Sequence, residues 1–165
     1  MGVVRAARAQ PASLQSEATV AIKGVEIGQV FKFSKTVGET DVTLFAGLTG
    51  DFSDTHINEQ YMQEKSSIGT RIAHGLYTAS LISAVLGTRL PGPGAVYISQ
   101  TLNFRAPVKI GDTVDVNVTV AELIPEKHRA RLGCHCTVEG EVVLDGEALV
   151  KVPSRDSGGR PPPRV

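Results

Sequence analysis

Residues 49–86 read TGDFSDTHINEQYMQEKSSIGTRIAHGLYTASLISAVL and contain the element around which we expect the chain to fold. From Gly75 the sequence GLYTASLISAVLGTRL predicts a helix that is apolar on nearly every side, through Leu76, Leu81, Ile82, Val85 and Leu86. A helix of this kind must be covered by other elements. Gly87 and the Pro91–Gly94 run end it.

The sequence after this helix changes to a period of two. Four valines between Val114 and Val120 alternate with residues that are mostly polar, which is typical of a half-buried antiparallel strand. Further strands are predicted over 95–106, 129–138 and 142–152, the last two joined by a tight turn at Glu139–Glu141.

The sequence before the helix predicts one strand and two short helices. The strand covers Val30–Val37, and Thr40 is expected to cap a helix that buries Val42, Phe45 and Leu48 and ends at Gly50. A second short helix is predicted from Asn58 to about Lys65. An antiparallel sheet curled around one central helix satisfies all these patterns. We therefore predict an α+β hot-dog domain.

The length of 165 residues suits one domain. We expect an N-terminal extension over 1–22, the hot-dog domain over 23–153 and a Pro- and Gly-rich tail over 154–165. The extension carries Arg5 and Arg8 and no acidic residue before Glu17, which weakly resembles a mitochondrial presequence. We favour a disordered extension and a cytoplasmic protein, with the mitochondrial matrix as the alternative.

Composition argues against several classes of partner. The chain has 17 basic and 17 acidic residues, so its charge gives no reason to expect nucleic acid or an acidic membrane surface as a partner. No apolar run approaches the roughly 20 residues that span a bilayer. Cys134 and Cys136 share one face of a predicted strand and His135 points the other way, so we expect buried thiols and no metal site.

Asp51 and His56 are the first candidate catalytic pair. Gly50 and the polar residues between the pair predict a loop, in which the two side chains can converge. A carboxylate and an imidazole facing one water molecule form a general acid and base. The alternative makes Asp51 a turn residue and His56 the cap of the next helix.

Gly75 and Ser83 are further candidates on the central helix. The first amides of a helix have no internal partner, so the Gly75 N–H is a candidate donor to an oxyanion. Close packing of the helix against the sheet also explains a glycine there. His74 either contacts the substrate or orients the turn. Ser83 either bonds to Asp51 or bonds back to a helix carbonyl.

Three segments together resemble a known family. TGDFSDTHIN, IAHG and SLISAVLGTRLPGPGAVYISQTLNFRAPVKIGDTV are similar to the MaoC-like (R)-specific enoyl-CoA hydratases. That group includes hydratases that supply monomers for polyhydroxyalkanoate synthesis and mitochondrial 3-hydroxyacyl-thioester dehydratases. The similarity extends over roughly residues 25–152.

The resemblance implies a function and a role for each site residue. It implies a hot-dog homodimer with sheets joined edge to edge, and reversible syn hydration of a trans-2-enoyl thioester to the (R)-3-hydroxyacyl thioester. Asp51 and His56 would activate water, the Gly75 N–H would polarise the thioester carbonyl, and Ser83 would support Asp51. An acyl-CoA is the expected substrate, without a metal or redox cofactor.

One departure from the family pattern lies in the catalytic loop. The family usually has Asn-Pro where this chain has Ser53-Asp54. Losing the proline frees the loop backbone, and Asp54 adds a charge near the site. A second carboxylate close by would raise the pKa of its neighbour. We expect this change to affect substrate preference before it affects activity.

Other functions remain open at this point. An acyl-carrier-protein dehydratase would need a basic patch, for which the candidates are Arg71, Arg89, Arg105 and Lys109. A hot-dog thioesterase usually relies on a carboxylate on or near the central helix, and none lies between Gly75 and Leu90. A non-catalytic acyl-binding protein would not need both Asp51 and His56.

The sequence also suggests residues that line the acyl pocket. We place Leu76, Tyr77 and Ser80 there, beside His74. If Tyr77 points inward, it shortens the pocket and favours short acyl chains, so Tyr77→Ala should change the chain-length profile.

Overall fold

A computed structural model describes Ile22 and residues 24–153 of the chain. The proposed extension over 1–22 and the tail over 154–165 therefore lie, except for Ile22, outside the described residues. Four helices precede most of the sheet: α1 is Glu39–Thr49, α2 Asp54–Ile57, α3 Glu59–Lys65 and α4 Gly75–Thr88. The strands are β1 Val30–Thr36, β2 Val96–Gln100, β3 Asn103–Phe104, β4 Thr113–Ile124, β5 Arg129–Val138 and β6 Glu141–Lys151.

The six strands form one antiparallel sheet packed against α4. Its order is β1-β4-β5-β6-β2, and the short β3 also pairs with β6. Alternate residues of β4 and β5 point to the core, where the valines from Val114 to Val120 and both cysteines are buried. The predicted hot-dog architecture is confirmed.

The turn between β5 and β6 follows directly from its sequence. Glu139 and Gly140 both have positive φ angles, 51° and 87°. Two central residues with positive φ form the turn whose twist matches that of the flanking strands. The strands therefore leave this turn in register, with Val138 opposite Glu141.

The first helix begins one residue before the predicted Thr40 cap. Gly38 precedes it, and the Asp41 carboxylate accepts the Gly38 N–H at 2.8 Å. A carboxylate at the third helical position satisfies the free amide at the helix start. Burial of Val42 is confirmed, whereas Leu48 is 85% exposed because it lies about 120° around the helix from Val42.

Two other elements differ from the sequence prediction. The strand expected over 95–106 is divided into β2 and β3, because the chain crosses closely over β6 at Thr101. The helix α4 is buried on one side only. Its Ser80, Ser83, Ala84 and Gly87 face solvent, because the sheet covers the opposite side.

The crossing at Thr101 determines where β3 lies. A Cβ on Gly146 of β6 would come within 1.8 Å of the Thr101 carbonyl oxygen. The Thr101 N–H donates to Glu147 O at 2.9 Å, and Asp145 accepts hydrogen bonds from Asn103 and Arg105. These contacts place Phe104 next to the first residue of α4.

The two cysteines are buried free thiols, as predicted. Burial raises the pKa of Cys134 to about 11 and that of Cys136 to about 12. At neutral pH both therefore stay protonated and unreactive. In the part of the chain that the structure describes, no helix is long and apolar enough to cross a bilayer.

Candidate active site

The segment that carries Asp51 and His56 is partly helical. Gly50 ends α1 in the left-handed conformation, with φ 78°, and its N–H donates to Ala46 O. Only residues 50–53 are without helical structure, since α2 begins at Asp54 and includes His56. The cap of the following helix is Asn58, not His56, because the Asn58 side chain accepts the Tyr61 N–H.

His56 has one nitrogen engaged and one free. Its Nδ1 lies 2.8 Å from the carbonyl oxygen of Ile72. Because a carbonyl only accepts, Nδ1 carries the hydrogen. The Nε2 atom is 3.9 Å from Asp51 Oδ2, which is too long for a direct hydrogen bond. In neutral His56, two acceptors therefore face each other with room for one water to bridge them.

His74 lies behind this pair. Its ring stacks on that of His56 with 3.8 Å between centroids, and its Nε2 lies 3.0 Å from the Asp51 carbonyl oxygen. His74 is 2% exposed, and its Nδ1 has no hydrogen-bond partner in the described chain. One buried imidazole thus supports both the ring of His56 and the backbone of Asp51.

The three side chains are close enough to raise the question of a metal. One ligand atom from each of Asp51, His56 and His74 lies within 4.8 Å of the others. The His74 nitrogens, however, are hydrogen-bonded or buried, so only two groups face open space. A catalytic zinc takes three protein ligands. This arrangement suits a bound water better than a metal ion.

Gly75 is the first residue of α4. Both roles considered for it, a free backbone amide and close packing, fit the structure. Within the described residues its N–H donates no hydrogen bond, as expected at the start of a helix. The Phe104 ring also packs against it, so that a Cβ would lie 2.9 Å from Phe104 Cε1. The missing side chain therefore admits the ring and leaves the amide free.

A cavity of about 330 Å³ adjoins these groups. His56 and Gly75 lie on its wall, and most of the remaining lining is apolar. Besides those two, the wall consists of Ile72, Ala73, Thr78, Phe104, Arg105, Ala106, Pro107, Val108, Val143 and Leu144. An apolar cavity with few polar groups is the usual form of a small-molecule site.

The other predicted site residues lie elsewhere. Ser83 is exposed, about 140° around the helix from the cavity-lining Thr78, and makes no hydrogen bond to Asp51 in the described chain. Leu76 and Ser80 are exposed, and the Ser80 hydroxyl bonds back to Tyr77 O. None of these three lines the cavity.

Tyr77 does not line the cavity either. It is buried in the core, where its ring packs edge-on against Phe45 with centroids 5.9 Å apart. Burial and the nearby Asp41 carboxylate raise the pKa of its hydroxyl. In this position Tyr77 supports the packing of α4 against α1.

Sequence reasoning missed Thr78 and gave Phe104 no role. Phe104 lies within the LNFRAPV segment of the family resemblance, but its contact with Gly75 depends on how β3 pairs with β6. Thr78 is a polar residue on an apolar helix, the same signal that singled out Ser83. The periodicity of apolar residues alone does not predict which side of that helix faces the cavity.

The four basic residues named for a carrier protein do not form one patch. Arg71 forms ion pairs with Glu39 and Glu59, and Arg105 pairs with Asp145. Arg89 follows the far end of α4, about 20 Å along the helix from Gly75. Lys109 lies beside a second groove that also contains Glu139 and Glu141.

Asp54 occupies the position of the usual family proline and bonds to a residue of its own helical turn. It is the first residue of α2, and its carboxylate accepts from the Asn58 side chain at 3.1 Å. Proline is favoured at this helical position, and an acidic residue is favoured there by the helix dipole. Either proline or aspartate can therefore occupy the first position of this helix.

Restoring the proline should therefore preserve the site. Ser53 has φ −56° and ψ 138°, which suits a residue before proline, and the Asp54 N–H makes no hydrogen bond in the described chain. We expect Asp54→Pro to keep the catalytic activity of the parent. The control is Ile57→Pro, which removes the donor to Ser53 O and should abolish activity. Equal losses in both variants would contradict this assignment.

The family model for the MaoC like domain matches residues 23–138. The chain belongs to the MaoC-like family. A 3-hydroxybutyryl-CoA dehydratase of Methylorubrum extorquens is 64% identical over 132 residues, which cover 80% of this chain and 83% of that protein. An (R)-specific enoyl-CoA hydratase of Rhodospirillum rubrum is 53% identical, covering 79% and 90%.

A solved MaoC-like structure shares the fold. The (R)-hydratase from Aeromonas caviae, described as involved in polyhydroxyalkanoate biosynthesis, superposes with a TM-score of 0.78. It is 36% identical, and the match covers 80% of this chain and all of that one. The fold and family inferred from the sequence are thereby confirmed.

Proposed function

We propose that this protein reversibly hydrates a trans-2-enoyl-CoA to the (R)-3-hydroxyacyl-CoA. One observation carries the proposal: the free Nε2 of His56 and the Asp51 carboxylate face each other at 3.9 Å beside the apolar cavity that contains the Gly75 N–H. The relatives at 53–64% identity are named as hydro-lyases of acyl-CoA thioesters, and one name specifies the (R) configuration.

The pair would bind and activate the attacking water. Hydrogen bonds from the water to His56 Nε2 and to Asp51 use both of its hydrogens and direct an oxygen lone pair towards the substrate. As the oxygen bonds to C3, one O–H bond breaks and its proton moves to the Asp51–His56 pair. The C2=C3 electrons move towards the thioester oxygen, which becomes an enolate.

The Gly75 N–H would stabilise this enolate. It lies at the positive end of α4, where a developing negative charge is favoured. The proton held by the Asp51–His56 pair then passes to C2, and the carbonyl is restored. Since one pair handles both the water and the returning proton, H and OH add to the same face of the double bond.

These steps use only side chains, one backbone amide and water. We therefore propose that the reaction needs no metal or redox cofactor. Coenzyme A is the carrier of the substrate in this proposal.

Coenzyme A is a better fit than an acyl carrier protein. An acidic carrier protein needs a basic surface, whereas Arg71 and Arg105 are paired with carboxylates and the neighbouring groove contains Glu139 and Glu141. A short acyl chain is proposed because the relative at 64% identity is named for a four-carbon substrate.

A comparison of crotonyl-CoA with a crotonyl-carrier-protein thioester distinguishes an acyl-CoA hydratase from a carrier-protein dehydratase. We expect loss of the conjugated enoyl-thioester absorbance with crotonyl-CoA, at a higher kcat/KM than with the carrier-protein thioester. The opposite preference would support the dehydratase of fatty acid synthesis. Release of free thiol without hydration would instead indicate a thioesterase.

We also propose that the protein is a homodimer joined at β2. This strand pairs with β6 along one edge, and its other edge has no partner in the described chain. Val96 and Ile98 on it are 57% and 43% exposed. An unpaired apolar edge strand is a site for pairing with another chain.

The mass in solution tests this interface. Light scattering should give twice the 17.5 kDa chain mass for the parent. Ile98→Lys should shift the mass towards one chain, because a charge on an edge strand opposes pairing. Ile27→Lys, at another exposed isoleucine, is the control and should remain dimeric. A dimer in both variants would place the interface elsewhere.

A further inference from the structure

The Thr78 hydroxyl is a polar group in the cavity to which no function has yet been given. The residue is 3% exposed and lies on the cavity wall one helical turn after Gly75. No hydrogen bond joins its Oγ1 to another group of the described chain. The fully buried unpartnered side-chain atoms of the described chain are His74 Nδ1 and the Tyr77 hydroxyl oxygen, so the Thr78 Oγ1 is open to the cavity, where water or a ligand can satisfy it.

Three other helical hydroxyls in this chain bond back to a carbonyl of their own helix. Thr49 and Thr88 each donate to the carbonyl four residues earlier, at 2.8 and 2.6 Å, and Ser80 donates to Tyr77 O. This back-bonding is the usual outcome for a serine or threonine within a helix. Thr78 could bond to His74 O in the same way but does not, which leaves its hydroxyl available to a ligand.

The geometry of the helix places the Thr78 side chain near the first turn of α4. Side chains on a helix lean towards its N-terminus, so residue 78 lies over the turn that begins at residue 75. Both residues line the same cavity. An acceptor bound at the Gly75 N–H therefore lies on the side of the helix that Thr78 covers.

We propose that the Thr78 hydroxyl donates a second hydrogen bond to the thioester oxygen, beside the one from the Gly75 N–H. This inference rests on the proposed function and adds a substrate-contacting residue to it. An enolate oxygen carries more charge than the thioester oxygen, so the bond strengthens as the reaction proceeds. The methyl group of Thr78 meanwhile continues the apolar wall of the cavity.

Three matched variants test the role of the hydroxyl. Thr78→Val keeps the shape and should lower kcat for crotonyl-CoA by about 10²-fold with little change in KM, as for loss of one oxyanion donor. Thr78→Ser keeps the hydroxyl and should retain most of the activity. Thr88→Val removes a hydroxyl that is already bonded to Ala84 O and should behave as the parent does.

Two results would overturn the proposal. If Thr78→Val keeps the kcat of the parent, the hydroxyl does not contact the reacting oxygen. If Thr78→Ser loses as much activity as Thr78→Val, the residue acts through packing. Thermal denaturation of each variant separates either result from misfolding.

A measurement without turnover keeps this inference separate from the proposed function. Butyryl-CoA has no double bond to hydrate, and a ¹³C label at its carbonyl isolates that infrared band. The bound band should lie at lower frequency than the free one in the parent and move part of the way back in Thr78→Val. An identical band in both proteins would overturn the proposal even if crotonyl-CoA is hydrated. Failure of the parent to bind butyryl-CoA would overturn both proposals.

Discussion

Asp51→Asn should lower kcat for crotonyl-CoA hydration by about 10³-fold or more, since loss of a general acid or base typically costs 10² to 10⁴. Asparagine has almost the same shape, but it replaces one acceptor oxygen facing His56 with an NH₂ donor. The bridging water then loses one of the two acceptors that orient it. Initial rates of enoyl-thioester disappearance measure the effect.

His56→Gln should have an effect of similar size. Glutamine can approach the Ile72 carbonyl but lacks a second ring nitrogen to share a proton with Asp51. Because the two residues act on one water, the double variant should be little worse than either single one. Additive losses would mean that the two residues act in separate steps.

Two nearby substitutions serve as controls for this pair. Asp54→Asn removes the other carboxylate of the same segment, which bonds to Asn58 and not to the water site. His135→Gln changes an exposed histidine on β5. Both should keep the kcat of the parent. A large loss in Asp54→Asn would show that Asp54 contributes to the chemistry and would contradict the assignment of Asp51.

Gly146→Ala should cause the largest loss of stability among single methyl additions in the sheet. The new Cβ would come within 1.8 Å of the Thr101 carbonyl oxygen, an atom of the backbone that cannot rotate away. Overpacking costs about 1–3 kcal/mol and sometimes more, and a backbone clash belongs to the upper end. We expect a loss of about 3 kcal/mol, seen as a fall in Tm of roughly 10 °C.

Gly133→Ala is the matched control. Gly133 lies in the neighbouring strand β5, and a Cβ there would meet no atom within 4 Å. Alanine in a strand is favoured over glycine by roughly 0.5–1 kcal/mol, so this variant should be at least as stable as the parent. A similar fall in Tm for both variants would contradict the close crossing at Thr101.

The close crossing of the chain at Thr101 also positions part of the candidate active site. It precedes β3, whose Phe104 packs on Gly75 and lines the cavity. Folded Gly146→Ala at low temperature should therefore show a reduced kcat/KM for crotonyl-CoA, because the cavity wall is displaced. Gly133→Ala should not.

The sequence predicted the sheet and the central helix because both depend on period. The alternating valines of β4 are typical of a strand, and the long apolar run after Gly75 is typical of a buried helix. Prediction from the sequence failed where the bounds of an element depend on a contact between residues distant in sequence. The break between β2 and β3 depends on Gly146. The start of α1 was missed for a different reason, because it depends on a local hydrogen bond that the Gly38 N–H donates to the Asp41 carboxylate.

The candidate site divides in the same way. Asp51, His56 and the Gly75 amide could be proposed from the sequence because they are polar or unpaired where a helix is predicted to begin or end. The burial of His74 behind His56 and the contact of Phe104 with Gly75 depend on tertiary packing, which spacing does not encode. Thr78 and Ser83 give the same signal in the sequence, and only the direction of α4 against the sheet distinguishes them.

The most direct test of the central claim is chiral analysis of the product formed from crotonyl-CoA by the purified protein. Coupling to an (R)-specific and, separately, an (S)-specific 3-hydroxyacyl-CoA dehydrogenase measures both enantiomers. We predict (R)-3-hydroxybutyryl-CoA alone, formed about 10³-fold more slowly or slower still by Asp51→Asn. An (S) product, or no water addition by the folded protein, would contradict the assignment of Asp51, His56 and Gly75 as a hydratase site.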